Sequence, residues 1–262
     1  MKIAVCLSGQ PRTWKQCFES WNLLFDTLKK NKDLEGKDVE VDYFIHTWDF
    51  NSKPYSVWTR ERYGMEGFIA PPATHQSSEE ISDYINTIKP IQFLIESEAK
   101  SLSLKDELDR RTQFRLETTK WCPLSWSASQ LYGIMVAGYL KKQYELDNGF
   151  RYDMCVRLRP DLHFDELNRR ILGKEFTIPK PRTIYSCHGF QTDDMPYEAI
   201  GDIFFYSDSE TYDLISSLYN WLPQLDPFIF RDDFRIEEML VYFARMFHIG
   251  SSKVKIDPVV KR

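Results

Sequence analysis

The chain has 262 residues, 42% of them apolar and 28% charged, enough to bury a sizeable core as one large α/β domain or two small ones. A net charge of −5 argues against a nucleic-acid backbone as partner, and no apolar run approaches the roughly 18 residues of a membrane span. The five cysteines, Cys6, Cys17, Cys122, Cys155 and Cys187, are odd in number and form no C-x-x-C pair, so they read as reduced thiols of a cytoplasmic protein without a zinc site.

The opening "MKIAVCLSGQPR" has too short an apolar run for a leader and reads as a first strand, Ile3, Val5 and Leu7 alternating with Ala4, Cys6 and Ser8 as in a strand covered on both faces. Gly9 ends it, and Pro11 suits the first turn of a helix. Trp14, Cys17, Phe18, Trp21, Leu24, Phe25 and Leu28 then recur at helical spacing. After the solvated turn "KNKDLEGKD", "VEVDYFIHTWD" is a second strand with Val39, Val41, Tyr43 and Ile45 on one face, which completes a right-handed strand–helix–strand unit.

Residues 50–76 form an irregular excursion rich in Pro and Gly. Ser77 or Ser78 caps the helix "EEISDYINTIK", and "IQFLIES" follows as a strand. A polar excursion over 98–120 precedes the long helix "SWSASQLYGIMVAGYLKKQYELDNG", whose inward residues are expected to be Leu131, Ile134, Met135, Gly138 and Tyr139, with Gly149 as its stop. In "YDMCVRLRPDL", Met154, Val156 and Leu158 face one way, and Cys155, Arg157 and Arg159 the other. "TIYSCHG" and "DIFFYS" read as strands, "SETYDLISSLYNWL" and "RIEEMLVYFARMFHI" as helices, and "KVKID" as a last short strand. The alternation implies a three-layer α/β domain with a mixed sheet in its C-terminal half.

Ligands of open α/β sheets sit outside the carboxyl ends of the strands, and polar residues gather at those ends here. "SGQPR" supplies Ser8, Gly9, Gln10 and Arg12 as a helix opens; it meets an anion or nucleoside there, with Arg12 pairing phosphate, or it is a plain turn. It lacks the glycines of a dinucleotide fingerprint. "HTWD" supplies His46, read as a buried core histidine, then Trp48 to stack on a base and Asp49 to hold it. "RPDLH" is the sharpest. Asp161 and His163, two apart in an extended segment, point to one side, where they could share a divalent cation such as Mn²⁺, and Arg157 and Arg159 add positive charge. The alternative is a surface salt-bridge cluster in which Arg159 pairs Asp161.

Taken in order, these motifs resemble the glycosyltransferase-like proteins of GT-A type, the viral and bacterial kind in particular. Those open with a strand and an "SGQPR"-like turn, carry an "HTW"-like second strand and place "YD…R.RPDL" after a long helix. They continue with a "D.F"-type strand, matched by "GDIFFYSDSE", and a late acidic helix, matched by "RIEEMLVYF". The resemblance implies a three-layer Rossmann-like GT-A fold with a mostly parallel sheet, as a single domain over 1–262. Its nucleotide-binding half would be 1–123 and its donor-diphosphate and acceptor half 124–262.

The activity implied is transfer of a sugar from a nucleotide-diphosphate-sugar donor to a hydroxyl of a glycan or other acceptor, in the cytoplasm, or the host cytoplasm if the source is viral. In that family a D-x-D motif holds Mn²⁺ or Mg²⁺ and the diphosphate; here Asp161 matches and His163 occupies the second acidic position. Asp202 is expected to touch the donor sugar and Glu237 to act as general base, with Glu238 beside it. A non-catalytic nucleotide- or glycan-binding module, or a nucleotidyltransferase, shares the same strand-end logic.

Overall fold

The computed structural model describes residues 1–29, 38–51, 74–97, 99–101, 103–104, 107, 124–187, 200–224, 236–256 and 258–261. At its centre lies a seven-stranded sheet built from β1 (Lys2–Ser8), β2 (Glu40–Trp48), β5 (Gln92–Glu96), β6 (Met154–Leu158), β8 (Thr183–Cys187), β9 (Phe204–Ser207) and β10 (Gly250–Val254), in the order β10-β8-β9-β6-β1-β2-β5. β1 is parallel to both β2 and β6, β2 to β5, and β10 to β8, whereas β9 runs antiparallel to β6 and β8. The sheet is thus mostly parallel, and the single reversed strand lies in the C-terminal half, as the sequence pattern led one to expect. Two short antiparallel pairs stand outside it: β3 (Phe50–Asn51) with β4 (Thr74–His75), and β7 (Leu162–His163) with β11 (Val259–Val260).

Helices cover both faces. α1 (Trp14–Leu28) buries Trp14, Cys17, Trp21, Leu24, Phe25 and Leu28 as one stripe. That stripe packs with Ile3, Val5, Leu7, Ile45, Met154, Val156 and Leu158, each large apolar side chain contributing about 1.5–3 kcal/mol when fully buried. α2 (Ser78–Ile88) adds Tyr84 and Ile88 to the same layer. Its cap is Ser77, which forms a capping box: Glu80 N donates to Ser77 Oγ at 3.1 Å and Ser77 N to Glu80 Oε2 at 2.9 Å. α3 (Leu124–Asn148) crosses the opposite face, on Ala4, Cys6, Phe44, Cys155 and Phe205, together with α5 (Ser209–Ser216), α6 (Leu218–Trp221) and α7 (Ile236–Met246).

α4 (Glu166–Glu175) is a helix that apolar periodicity does not announce, because Leu167 is exposed and Ile171 and Leu172 are the apolar side chains it packs on the core. Its marker is Asp165, which caps it by accepting from Asn168 N at 2.8 Å. The expected inward set of α3 also needs one correction. Leu131, Ile134 and Gly138 are buried and Met135 packs beside them, but Tyr139 is 63% exposed. The buried stripe continues instead through two charged residues, Lys141 and Glu145, which an apolar pattern passes over. Lys141 Nζ donates to Ser209 Oγ at 2.7 Å, Asp213 Oδ1 at 2.5 Å and Glu145 Oε2 at 3.0 Å, fixing α3 to α5.

The last strands also differ from expectation. The extended segment at the end divides into β10, which begins at Gly250 rather than 253, and β11. The excursions over 50–76 and 98–120 fall largely outside the described residues.

Candidate functional site

From β1 the chain winds through α1, β2 and α2 to β5, moving steadily outward with its helices on one face. It then returns across the other face through α3 and lays β6 on the far side of β1. The order of strands therefore reverses between β1 and β6, and a crevice at such a switch point is where ligands of open α/β sheets bind. The loops leaving these two strands touch. Gly9 has φ +133°, a backbone conformation that favours glycine, and a Cβ there would lie 3.4 Å from Pro160 Cδ. Thr47 Oγ1 donates to Gly9 O at 2.9 Å and Gly9 N to His46 O at 3.3 Å, which fixes the turn after β1 to the end of β2.

Three charged groups meet at the mouth of β6. Arg159 holds Asp161 by both carboxylate oxygens, at 2.9 and 2.7 Å. The pairing expected from the sequence is present, but it is not a surface cluster, because Asp161 is 1% exposed. Lys261 N donates to Asp161 O at 2.8 Å and Thr13 Oγ1 to Lys261 O at 3.0 Å, so the segment around β11 lies against both the start of α1 and the end of β6. Because β9 is antiparallel to β6, with Phe204 opposite Leu158, the residues entering β9 stand at this same mouth. Asp202 is among them, 8% exposed and accepting from Gln130 Nε2 of α3.

Arg157 lies deeper, 1% exposed, its Nη1 donating to Ser8 O at 2.9 Å and Leu158 O at 2.6 Å. Its Nε is buried without a hydrogen-bond partner, and Arg157 makes no ion pair among the described residues. Burial pushes its guanidinium down to about 10, the neighbouring Tyr212 and the charges of Asp202 and Asp161 opposing that fall and Arg159 adding to it. A buried cation with no counter-ion is costly.

A second polar group occupies the ends of β2 and β5. His46 is fully buried, its Nε2 2.8 Å from Glu96 Oε2, while Tyr132 of α3 donates to Glu96 Oε1 at 3.2 Å. Burial pushes His46 below its ordinary value, and this outweighs the support of Glu96. Burial alone would raise Glu96, but the hydrogen bonds from His46 and Tyr132 hold it low. The pair is therefore a neutral imidazole donating Nε2–H to an anionic carboxylate. Gly133 lets α3 approach here, since a Cβ would come 3.0 Å from His46 Nδ1 and 3.3 Å from Ser8 Cβ. Ser8 Oγ and His46 Nδ1 both remain without partners beneath it.

The structure thus gathers Ser8, Gly9, Arg157, Arg159, Asp161 and Asp202 at one end of the sheet. Gln10 and Arg12 stand in the turn between β1 and α1, both half-buried. Trp48 is 4% exposed, its ring edge-on to His46 at 4.8 Å, and Asp49 N donates to Glu96 O at 2.9 Å. Glu237 and Glu238 open α7, whose buried residues Met239, Leu240 and Phe243 belong to the α3 side of the core. His163 sits on β7, paired with Val259, and its Nδ1 is buried without a partner.

These groups do not fit a resident divalent cation at Asp161 and His163. Both Asp161 oxygens are engaged by Arg159, and among the described residues no group of three or more His, Cys, Asp or Glu could hold an ion. Positive charge at this mouth comes from guanidinium groups instead.

Sequence reasoning missed Glu96, Tyr132 and Gln130. Glu96 carried the same signal as the others, a charged residue ending an apolar strand in "IQFLIES". Tyr132 and Gln130 carried none, because only the packing of α3 across the strand ends brings them there. No family model and no curated protein matches the chain. Among solved structures, mouse xyloside xylosyltransferase 1 in its apo form is similar with a TM-score of 0.44 and 11% identity, over 98% of this chain and 86% of that one.

Proposed function

We propose that the crevice at the β1–β6 switch point binds a nucleotide-diphosphate sugar and that the protein transfers the sugar to a hydroxyl of a glycan or other acceptor. The observation that carries this reading is Arg157, a buried guanidinium with an unpaired Nε and no ion pair among the described residues, at the place where such sheets bind ligands. A cation in that position asks for an anion, and a diphosphate supplies one. Arg159 stands beside it, and the turn of Ser8, Gly9, Gln10 and Arg12 borders the same space. Asp49 extends the site toward a nucleoside, with Trp48 packed in the core behind it, Asp202 extends it toward the donor sugar, and Glu237 takes the acceptor proton. The buried thiols and the acidic charge accord with a cytoplasmic enzyme.

A second reading, a binding module without turnover, is favoured by one observation: Asp161 and Asp202, the carboxylates at the mouth of β6, are already held by Arg159 and Gln130. One assay separates the two. The protein is incubated with a panel of nucleotide sugars, with and without Mn²⁺, while nucleoside diphosphate release and thermal midpoint are followed. At about 100 times its Kd, a ligand specific for the native state stabilises by about 2.7 kcal/mol. Release with stabilisation supports the transferase, and stabilisation without release supports the module. No shift with any nucleoside diphosphate at millimolar concentration would reject the transferase and a nucleotide-binding module alike.

A further inference from the structure

We propose that Glu96 and Tyr132 form a subsite for the vicinal hydroxyls of a sugar ring. The inference deepens the nucleotide-sugar reading and rests on it only for how the ligand arrives.

Glu96 ends the outer strand β5, and its side chain is 17% exposed. A carboxylate has about four lone-pair sites. His46 takes one, on Oε2 at 2.8 Å, and Tyr132 takes another, on Oε1 at 3.2 Å. The other sites accept no hydrogen bond among the described residues, and the side chain is not fully closed off from solvent. The carboxylate is also held in place. His46 is fully buried and its ring is fixed edge-on by Trp48 at 4.8 Å and by Tyr132 at 5.6 Å, so neither donor can swing away without disturbing the core. Such an acceptor is preorganised rather than poised to take a proton, because two donors already stabilise its charge.

The neighbouring charges narrow the ligand class. Lys100 Nζ lies 5.2 Å from the Tyr132 ring centroid and 4.0 Å from Glu107 Oε2, so the surroundings of Glu96 carry both signs of charge and a cation approaching it meets an ammonium. An anion is repelled by Glu96 itself. The site offers acceptors on Glu96 and on the Tyr132 phenol oxygen, and donors on Lys100. A neutral group that both donates and accepts satisfies all three, and a pair of adjacent hydroxyls does so with one rigid ring. Three strand spacings, roughly 14 Å, separate β5 from β6, a span comparable with the length of a nucleotide whose phosphates sit at Arg157. The hydroxyls belong either to ribose or to a glycosyl unit.

Saturation-transfer NMR on the intact protein distinguishes these sources, using uridine, 2′,3′-dideoxyuridine and methyl glucoside as probes. Transfer to uridine but not to its dideoxy analogue identifies ribose, and transfer to methyl glucoside identifies a glycosyl unit. Loss of a hydrogen bond to a charged group corresponds to about tenfold or more in affinity, so Glu96→Gln weakens whichever polyol binds by that factor. Tyr132→Phe, which keeps the ring, weakens it less. Thermal midpoints recorded alongside exclude misfolding, and the comparison of uridine with dideoxyuridine needs no variant. Absence of transfer to every polyol, or affinities that Glu96→Gln leaves unchanged, overturns the proposal. If polyols bind as described while nucleotide sugars neither bind nor turn over, this subsite stands and the transferase reading falls.

Discussion

Arg159 grips Asp161 through two parallel hydrogen bonds, Nε to Oδ1 at 2.9 Å and Nη2 to Oδ2 at 2.7 Å, with the Asp161 side chain 2% exposed and the Arg159 side chain 23%. The grip orients a cation at the mouth of the crevice. Removing one partner of a buried pair costs about 3 kcal/mol. Asp161→Asn should therefore lower the thermal midpoint while leaving nucleoside diphosphate affinity equal or higher, because Arg159 loses its competitor. Arg159→Lys cannot form the two parallel bonds and should lower both. Calorimetric titration of the two variants checks the opposite signs. Equal losses of affinity would mean that the ligand meets the carboxylate.

For Arg157 the expected pattern is different. Replacing a buried charge by a well-packed apolar side chain is often neutral or stabilising. Arg157→Met should keep the thermal midpoint of the free protein within a few degrees and weaken nucleoside diphosphate binding about tenfold or more. A large loss of stability with intact affinity would make Arg157 a structural brace for Ser8 O and Leu158 O.

The His46–Glu96 pair sets an acid limit. Both groups titrate below their ordinary values in the folded protein, His46 through burial and Glu96 through its hydrogen bonds, which outweigh its own burial. The unfolded chain then binds more protons, so the stability they confer is present above the unfolded values and is lost as pH falls. His46 acts first, below about 6.5, and Glu96 below about 4.3. Denaturant unfolding between pH 7.5 and 5 should show this decline, and His46→Gln should flatten it.

Gly133 tests how closely α3 must seat. A methyl group there would press on His46 Nδ1 at 3.0 Å and Ser8 Cβ at 3.3 Å. Gly133→Ala should cost about 1–3 kcal/mol by overpacking, despite the better helix propensity of alanine. A stabilised variant would show that the helix has room to lift.

Cys6, Cys17, Cys155 and Cys187 are buried and form no disulfide among the described residues, and burial pushes the thiols of Cys6 to about 12 and of Cys17 to about 11. Ellman titration should find at most one fast thiol in the native protein and five after denaturation without reductant. Fewer than five would reveal a disulfide.

The parts of the fold that were legible are those where one pattern governs a whole element. β1, β6 and the second half of β2 (residues 44–48) are buried on both faces, and α1 shows a clean apolar stripe. Tyr139 was misplaced because the stripe of α3 runs on through Lys141 and Glu145, whose burial depends on Ser209 and Asp213, residues distant in sequence. The alternative that put the Arg159–Asp161 pair at the surface could not foresee that the segment holding Lys261, 100 positions later, lies against Asp161. Strand-end logic found Arg157, Arg159, Asp161 and Asp202 together, since charge at the end of an apolar run is visible locally. It could not find Gln130 or Tyr132, which reach the crevice only through the tertiary path of their helix.

The two attachments of α3 also set a rotational phase. Gln130 meets Asp202 at one end of the helix and Lys141 meets Asp213 toward the other, eleven residues apart and so about three turns. A single residue inserted between them turns one contact away from the other by about 100°. Seven inserted residues, about two turns, bring both back to nearly the same side but lengthen the span by about 10 Å. Angle and length agree together only at the native count, so the stretch between Gln130 and Lys141 tolerates substitution far better than insertion or deletion.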